Sequence, residues 1–353
     1  FYAYALCQIP AGILIDRYGP KPILTFASFL VAGGSFLFSY ATSLDVAYLS
    51  RFMIGVGSAF AFIGTLRIGS VWLPSSYFPF IVGMTNLFGT LGAIFGGPPL
   101  AFLEQYFGWR HAMGLISCIG LINAALILLV IPSIATKGVT PTPVTNSWYA
   151  DIKLILKSPL AWGLGFYGAL IVAPIAALPE MWGVEFLYHA YGLDNASASS
   201  MTHTIFVGIA LGGPLIGWFA KSSNYLVIMR SCAIAVFFLI CILIFKQDIS
   251  LKLVYCLFFC YGLFSANMLL CFTLISERHP SWAQGAAIGF INTLISIFAG
   301  VVQHGIGAIL DMQCIQHAGE YMLRDFHIAL AVLPVCLITA VLLTFIFRPS
   351  VTH

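Results

Sequence analysis

The sequence predicts an all-α polytopic membrane protein with eleven spanning helices, and three observations predict it. Hydrophobic residues make up 60% of the 353 and charged residues 8%, against about 25% charged in ordinary globular chains. Mean hydropathy is +0.99. The apolar runs are long and continuous, whereas a membrane barrel would alternate over short strands. A water-soluble fold of this size could not cover its surface with so few charges. The same apolar content excludes intrinsic disorder. A net charge of +3 with no basic stripe excludes a nucleic-acid partner.

The expected spans are 1–15, 22–42, 46–70, 78–102, 111–131, 159–181, 197–219, 225–245, 251–275, 284–309 and 326–347. The chain opens on FYAYALCQIPAGILI, inside a helix and without an initiator Met. The expectation is that a preceding helix is missing from this chain. That start lacks the basic leader and cleavage site of a signal peptide.

If the loop at 16–21 is cytoplasmic, cytoplasmic segments hold Arg17, Lys21, Lys137, Lys153, Lys157, Lys221, Arg278 and Arg348. The other side holds Arg110, Lys246, Lys252 and Arg324, so the bias of eight against four follows the positive-inside rule. The longest polar connector, 132–158, carries Pro, Thr and three Lys and reads as a cytoplasmic linker. Within it, WYADIKLILK has the pattern of a short surface helix. It divides the chain into a bundle at 1–131 and a bundle at 159–348. Asn195-Ala196-Ser197 matches a glycosylation sequon, but Asp194 or Asn195 reads better as a helix start.

Nine cysteines are present, most of them inside apolar runs, where a thiol behaves as a small hydrophobe. None has metal-ligand spacing, so neither a disulfide framework nor a metal site is expected.

An internal repeat is visible. Pro74, Gly83 and Asn86 recur as Pro280, Gly289 and Asn292, each 206 residues later. Gly12 falls opposite Gly217, one residue off that spacing. Repeated halves are common in membrane carriers.

The most specific motif is Gly12-Ile-Leu-Ile-Asp16-Arg17-Tyr-Gly19-Pro-Lys21. Gly12 permits close approach of a neighbouring helix, and Gly19 permits a tight turn. Asp16 suits a helix N-terminus elsewhere in the chain. Arg17 and Lys21 anchor the loop. The motif resembles the signature after the second helix of major facilitator superfamily transporters. Arg51-Phe-Met-Ile-Gly55-Val-Gly57 resembles that family's fourth-helix pattern, and Gly108-Trp109-Arg110 its lead into the sixth helix. The glycines and prolines from Gly89 to Pro99 match the family's antiporter motif only in part, which argues against drug efflux. The second copy of the first motif is degenerate, with Lys221 and Ser222 where Asp16 and Arg17 stand.

The resemblance implies helices two to six at 1–131, helices seven to twelve at 159–348, and a midplane cavity between two bundles. It implies that the Gly12, Asp16, Arg17, Gly19 and Lys21 motif is a conformational latch. It also implies alternating-access transport, monomeric in the bilayer and without cofactor. RFMIGVGSAFAFIGTLRIGSVWLP and GTLGAIFGGPPLAFLEQYFGWR resemble bacterial nutrient-uptake members, including phagosomal amino-acid and nucleoside transporters. The expected function is proton-coupled uptake of a small polar solute such as an amino acid across a bacterial plasma membrane. Efflux and uncoupled diffusion stay open. A membrane enzyme has no visible apparatus here, since HExxH, GxSxG and paired mid-span acids are lacking.

Polar residues near mid-span are expensive in lipid and mark candidate sites. For substrate they are Arg67, Asn86, Tyr167, Asn267 and Asn292, with Tyr4 and Gln8 nearby. The asparagines could equally serve as interhelical hydrogen bonds, and Arg67 as a cytoplasmic anchor. For proton coupling they are Arg51, Glu180 and His203. The alternatives there are snorkelling, an outer-surface acid and a helix-start histidine.

Overall fold

A computed structural model describes residues 2–96, 98–132, 148–221, 224–246, 248–314 and 321–347. The expectations at Gly97, in the connector at 133–147 with Lys137, and at Ser222 and Arg348 lie outside the described residues. Among those described, every regular element is helical, and nine helical stretches are long and apolar enough to cross a membrane. The expected spans at 1–15 and 78–102 correspond to shorter helices, α1 (Tyr2–Tyr18) and α4 (Phe78–Phe95), which are not among the nine.

The chain divides into two compact units. Unit 1 comprises Phe1–Ser75, Leu91–Ala161 and Ile275–Thr293. It holds α1, α2 (Pro20–Ser39), α3 (Leu44–Trp72), α5 (Pro98–Val130) and α6 (Trp148–Leu156). It also holds the end of α12 (Leu270–Arg278) and the start of α13 (Gln284–Cys314). Gly19, at φ 81°, makes the turn from α1 to α2, and Pro20 starts α2 where no N–H is needed. Ser43 caps α3 by accepting from the Val46 N–H at 3.4 Å, with Asp45 in the positive first turn. Small residues bring α2 and α3 together: a Cβ on Gly57 would lie 2.7 Å from the Ala27 carbonyl. α5 is two helical rods joined at Gly108, whose φ is 78°. That break is why the Gly-Trp-Arg motif stands ahead of a span. The α6 helix occupies the segment that the sequence marked as a surface helix.

Unit 2 comprises Ser76–Thr90, Trp162–Leu274 and Leu294–His353. It holds most of α4, with α7 (Pro159–Ala177), α8 (Gly183–Tyr191), α9 (Asn195–Phe219), α10 (Tyr225–Phe245) and α11 (Leu251–Ser265). The later part of α13, α14 (Leu323–Leu330) and α15 (Val332–Ile346) complete it. Asp194 caps α9 through the N–H groups of Ala196 and Ser197, so the sequon residues form a helix start. The Ser197 side chain first, and then these N–H groups, hold its exposed carboxyl below the usual carboxylate range. α7 and α8 are joined by a π-helical turn, Leu178–Trp182. Pro179 lies inside it and has no N–H to return to the preceding turn.

The repeat has a structural counterpart inside each unit. In unit 1 a side chain on Gly12 would strike the Gly285 carbonyl, and one on Gly289 the Gln8 carbonyl. In unit 2 a side chain on Gly217 would strike the Pro79 carbonyl, and one on Gly83 the Gly213 carbonyl. α1 therefore crosses the start of α13 as α9 crosses α4. The paired positions are offset by 205 or 206 residues. Only glycine lets two backbones meet at these four points.

Candidate functional site

A polar cluster lies in unit 1, at the end of α1. Asp16 Oδ1 accepts from the Gly285 N–H and Oδ2 from the Ala286 N–H, each at 3.1 Å. Both donors belong to the first turn of α13, where a helix leaves N–H groups unpaired and favours an anion. Arg67 Nε stands 3.6 Å from Asp16 Oδ1, and its Nη1 donates to Gln284 Oε1 at 2.9 Å. Gln284 Nε2 donates in turn to the Ser276 carbonyl at 2.7 Å. The Gly12 crossing sits one helical turn before Asp16, so backbone proximity is what brings the carboxylate within reach. Arg17 Nη2 donates to Asp151 Oδ2 at 2.9 Å, and its guanidinium lies 5.4 Å from the Trp148 ring. Asp151 is 4% exposed. The Lys21 carbonyl accepts from Thr25 Oγ1 within α2. His279, in the turn before α13, is pushed below the usual imidazole range by its burial.

Of the residues singled out for substrate, the structure places Arg67 in this ionic cluster. Asn292 Nδ2 donates to the Tyr4 hydroxyl at 3.1 Å, also within unit 1. Gln8, 0% exposed, presents an amide whose oxygen and nitrogen have no hydrogen-bond partner. In unit 2 the Tyr167 hydroxyl contacts Asn267 Oδ1 and lies 2.8 Å from the Met229 carbonyl. Asn267 Nδ2 donates to the Phe264 carbonyl at 2.7 Å. Tyr167 and Asn267 thus come together and are fully buried. Asn86 is in unit 2 as well, and its buried Nδ2 has no partner.

Among the proton candidates, Arg51 is exposed and stacks over Phe38, 4.3 Å from the ring centroid. It lines a cavity of about 310 Å³ in unit 1 with Glu104, Trp109 and Met113. His203 is exposed, with Nδ1 2.7 Å from the Ser199 carbonyl one turn earlier. Glu180 lies on the π-helical turn.

Sequence reasoning missed Gln284 and the role of Asp151. Their partners are 217 and 134 residues away, and no local pattern signals such a pairing. It also missed Trp182, Tyr261 and Ser265 of unit 2, whose buried Nε1, hydroxyl and Oγ have no partner. A tryptophan and a tyrosine in an apolar run look like ordinary packing residues.

The sequence matches the Major Facilitator Superfamily over residues 1–302. It is 24% identical over 346 residues to the uncharacterized transporter YybO of Bacillus subtilis, covering 88% of this chain and 77% of that protein. It is 22% identical over 345 residues to the probable galactarate/D-glucarate transporter GudP of Escherichia coli, covering 88% and 76%. In three dimensions it resembles the E. coli fucose:proton symporter FucP, with a TM-score of 0.76 at 17% identity, covering 99% of this chain and 90% of that one. It also resembles the human organic anion transporter MFSD10, with a TM-score of 0.75 at 13% identity, covering 97% and 81%. These relatives and neighbours are transporters and not enzymes.

Proposed function

Because the chain belongs to the major facilitator superfamily, we propose that it takes up a small hydroxylated organic anion of the sugar-acid kind. Uptake is driven by the proton gradient and proceeds by alternating access in a bacterial plasma membrane, with the monomer as the working unit. The bundles 1–131 and 159–348 are the moving parts of this proposal. The observation that carries it is the Asp16 carboxylate on the first-turn N–H groups of Gly285 and Ala286. A charge held at a helix terminus by hydrogen bonds can be released and remade, which a cycling carrier needs. In this reading Gly12, Asp16, Arg17, Gly19 and Lys21 form the latch, and Arg67 serves it rather than the solute.

The solute class draws on the relatives, several of which carry galactarate/D-glucarate in their names. It also draws on the chemistry at hand. A polyhydroxy acid needs many uncharged hydrogen-bonding groups. Within unit 1 the Gln8 amide is buried without partners, and Tyr4 and Asn292 add a hydroxyl and an amide. Arg51 is the cation suited to a carboxylate. One observation favours an amino acid instead: Arg51 and Glu104 line the same cavity and would pair with the two charges of a zwitterion.

The test is uptake of radiolabelled D-glucarate, D-galactonate and amino acids into proteoliposomes, with and without an inward proton gradient. Gradient-dependent accumulation of a sugar acid supports the proposal. Accumulation of amino acids alone favours the second reading. Accumulation that ignores the gradient overturns proton coupling.

A further inference from the structure

We infer that Cys256 and Cys260 of α11 form a dithiol site that takes a single trivalent organoarsenical, bound covalently through both sulfurs. The site lies within unit 2. It uses none of the residues assigned to the solute or the latch and depends on neither reading.

Helix geometry brings the two thiols together. α11 runs unbroken from Leu251 to Ser265. Residues four apart on such a helix share a face, with Cβ atoms about 5–6 Å apart. Cys256 and Cys260 therefore stand one above the other, and their side chains are within hydrogen-bonding reach. Neither is in a disulfide; Cys256 is exposed and Cys260 half-buried. Leu251, Lys252 and Leu253 before them are exposed as well, so the pair opens toward the start of the helix.

The spacing is held by packing on another stripe of α11. A side chain on Gly262 would strike the Ile205 carbonyl of α9, and one on Gly208 of α9 would strike the Phe259 carbonyl. The Tyr255 and Ser200 hydroxyls meet at 2.6 Å. α11 is thus fixed against α9 while the thiols stay free to react.

The same spacing selects the occupant. A disulfide does not suit the pair, because its Cβ atoms must come within about 3.8 Å. A bridging atom does suit it: with metal–sulfur bonds of about 2.3 Å, one atom spans two sulfurs that cannot meet. A structural zinc wants four protein ligands. Among the described residues no three His, Cys, Asp or Glu side chains cluster to hold a metal ion. Sulfur ligands favour soft centres. The occupant is therefore soft, content with two protein sulfurs, and carries its own third substituent. Arsenic(III) bearing one organic group meets all three conditions.

The step balances. R–As=O and two S–H groups give R–As(S)₂ and water. Two As–S bonds form, both As–O bonds break, and the oxygen leaves with the two thiol protons. Arsenic stays trivalent, so no oxidant or reductant is needed. The product is neutral, and the apolar surroundings of α11 impose no charge-burial cost on it.

The other described cysteines offer no such pair on one helix. Cys232, Cys271 and Cys336 are buried. Cys7, Cys118 and Cys241 have no second cysteine three or four residues away.

Two measurements on the purified full chain, with phenylarsine oxide as the probe, test this. The first is intact-protein mass spectrometry after a wash with mercaptoethanol, a monothiol. Wild type and Cys118→Ser are expected to retain one phenylarsenical per chain, released by the dithiol dimercaptopropanol. Cys256→Ser and Cys260→Ser should retain none, since losing the second attachment weakens the hold by roughly 10²–10⁴-fold. Retention in either of these variants, or loss only in Cys118→Ser, overturns the site. The second is peptide mapping of the wild type with N-ethylmaleimide, which does not require any variant to fold. Pretreatment with phenylarsine oxide should protect Cys256 and Cys260 together. Labelling of either thiol after that pretreatment overturns the inference.

Discussion

Arg17 donates to Asp151 across 134 residues of sequence and so fastens the end of α1 to the helix that follows the long connector. The side chains are 13% and 6% exposed, so the pair is shielded from solvent and weakly screened. Asp151→Asn leaves Arg17 without its counter-charge, and removing one partner of a buried pair costs about 3 kcal/mol. The melting temperature in detergent should fall clearly. The reversed pair, Arg17→Asp with Asp151→Arg, should recover part of the loss. Equal losses in single and double variants would mean that the pair does not act as a pair.

Asp16→Asn keeps one acceptor but turns an NH₂ toward a backbone N–H. The expected effect on transport is about tenfold, since a charge at a helix terminus is worth up to about 2 kcal/mol. Membrane insertion should be unaffected. Normal flux in a well-inserted variant would count against the latch.

Gly12→Ala and Gly217→Ala should each cost about 1–3 kcal/mol, because the added methyl meets a backbone carbonyl that cannot step aside. Gly89→Ala and Gly300→Ala are matched controls, with nothing within 4 Å of the new carbon. Thermal melts of the four variants should separate into two groups.

Tyr167→Phe removes a buried hydroxyl and leaves Asn267 Oδ1 without that donor. The expected loss is about 1–3 kcal/mol. Tyr167→Phe with Asn267→Leu should cost less than the sum of the single changes, because both partners are then apolar.

His279 supplies a pH dependence whose sign can be worked out. Burial lowers its folded value beneath the unfolded one of about 6.5. Between the two, the unfolded chain binds more protons, so stability rises with pH through that window. It is fully present above about 6.5 and is lost as acidification approaches the folded value. His279→Gln should flatten the melting temperature against pH on the acid side. An unchanged slope would assign the dependence to other groups.

The helical character of the chain was legible because lipid imposes it: an apolar run of some 20 residues has few other stable forms. The glycines at 12, 83, 217 and 289 could be aligned from sequence, since close backbone crossings tolerate nothing larger. Their partners could not. Nothing in the string near Gly12 points to Gly285, and nothing near Arg67 points to Gln284. Arg67 drew notice as a solute candidate because a mid-span cation is expensive; its Nε stands 3.6 Å from Asp16 Oδ1, a neighbour no local pattern announces. The π-helical turn was hidden as well, since Pro174 sits within the regular helix α7 while Pro179, five residues on, accompanies a widened turn.

The exchange of segments between the units bears on how the protein is made. Unit 1 needs Ile275–Thr293 to complete its interior, yet its earliest part ends at Ser75. A ribosome adding about 5–20 residues per second takes roughly 10–40 s to cross that gap. Throughout that interval the backbone at Gly12 has no α13 to meet and the Asp16 carboxylate has no N–H groups to accept from. The nascent chain must wait in the bilayer with an acid uncovered at a helix end. Late synthesis, rather than early collapse, closes a part of the molecule that emerges well before it.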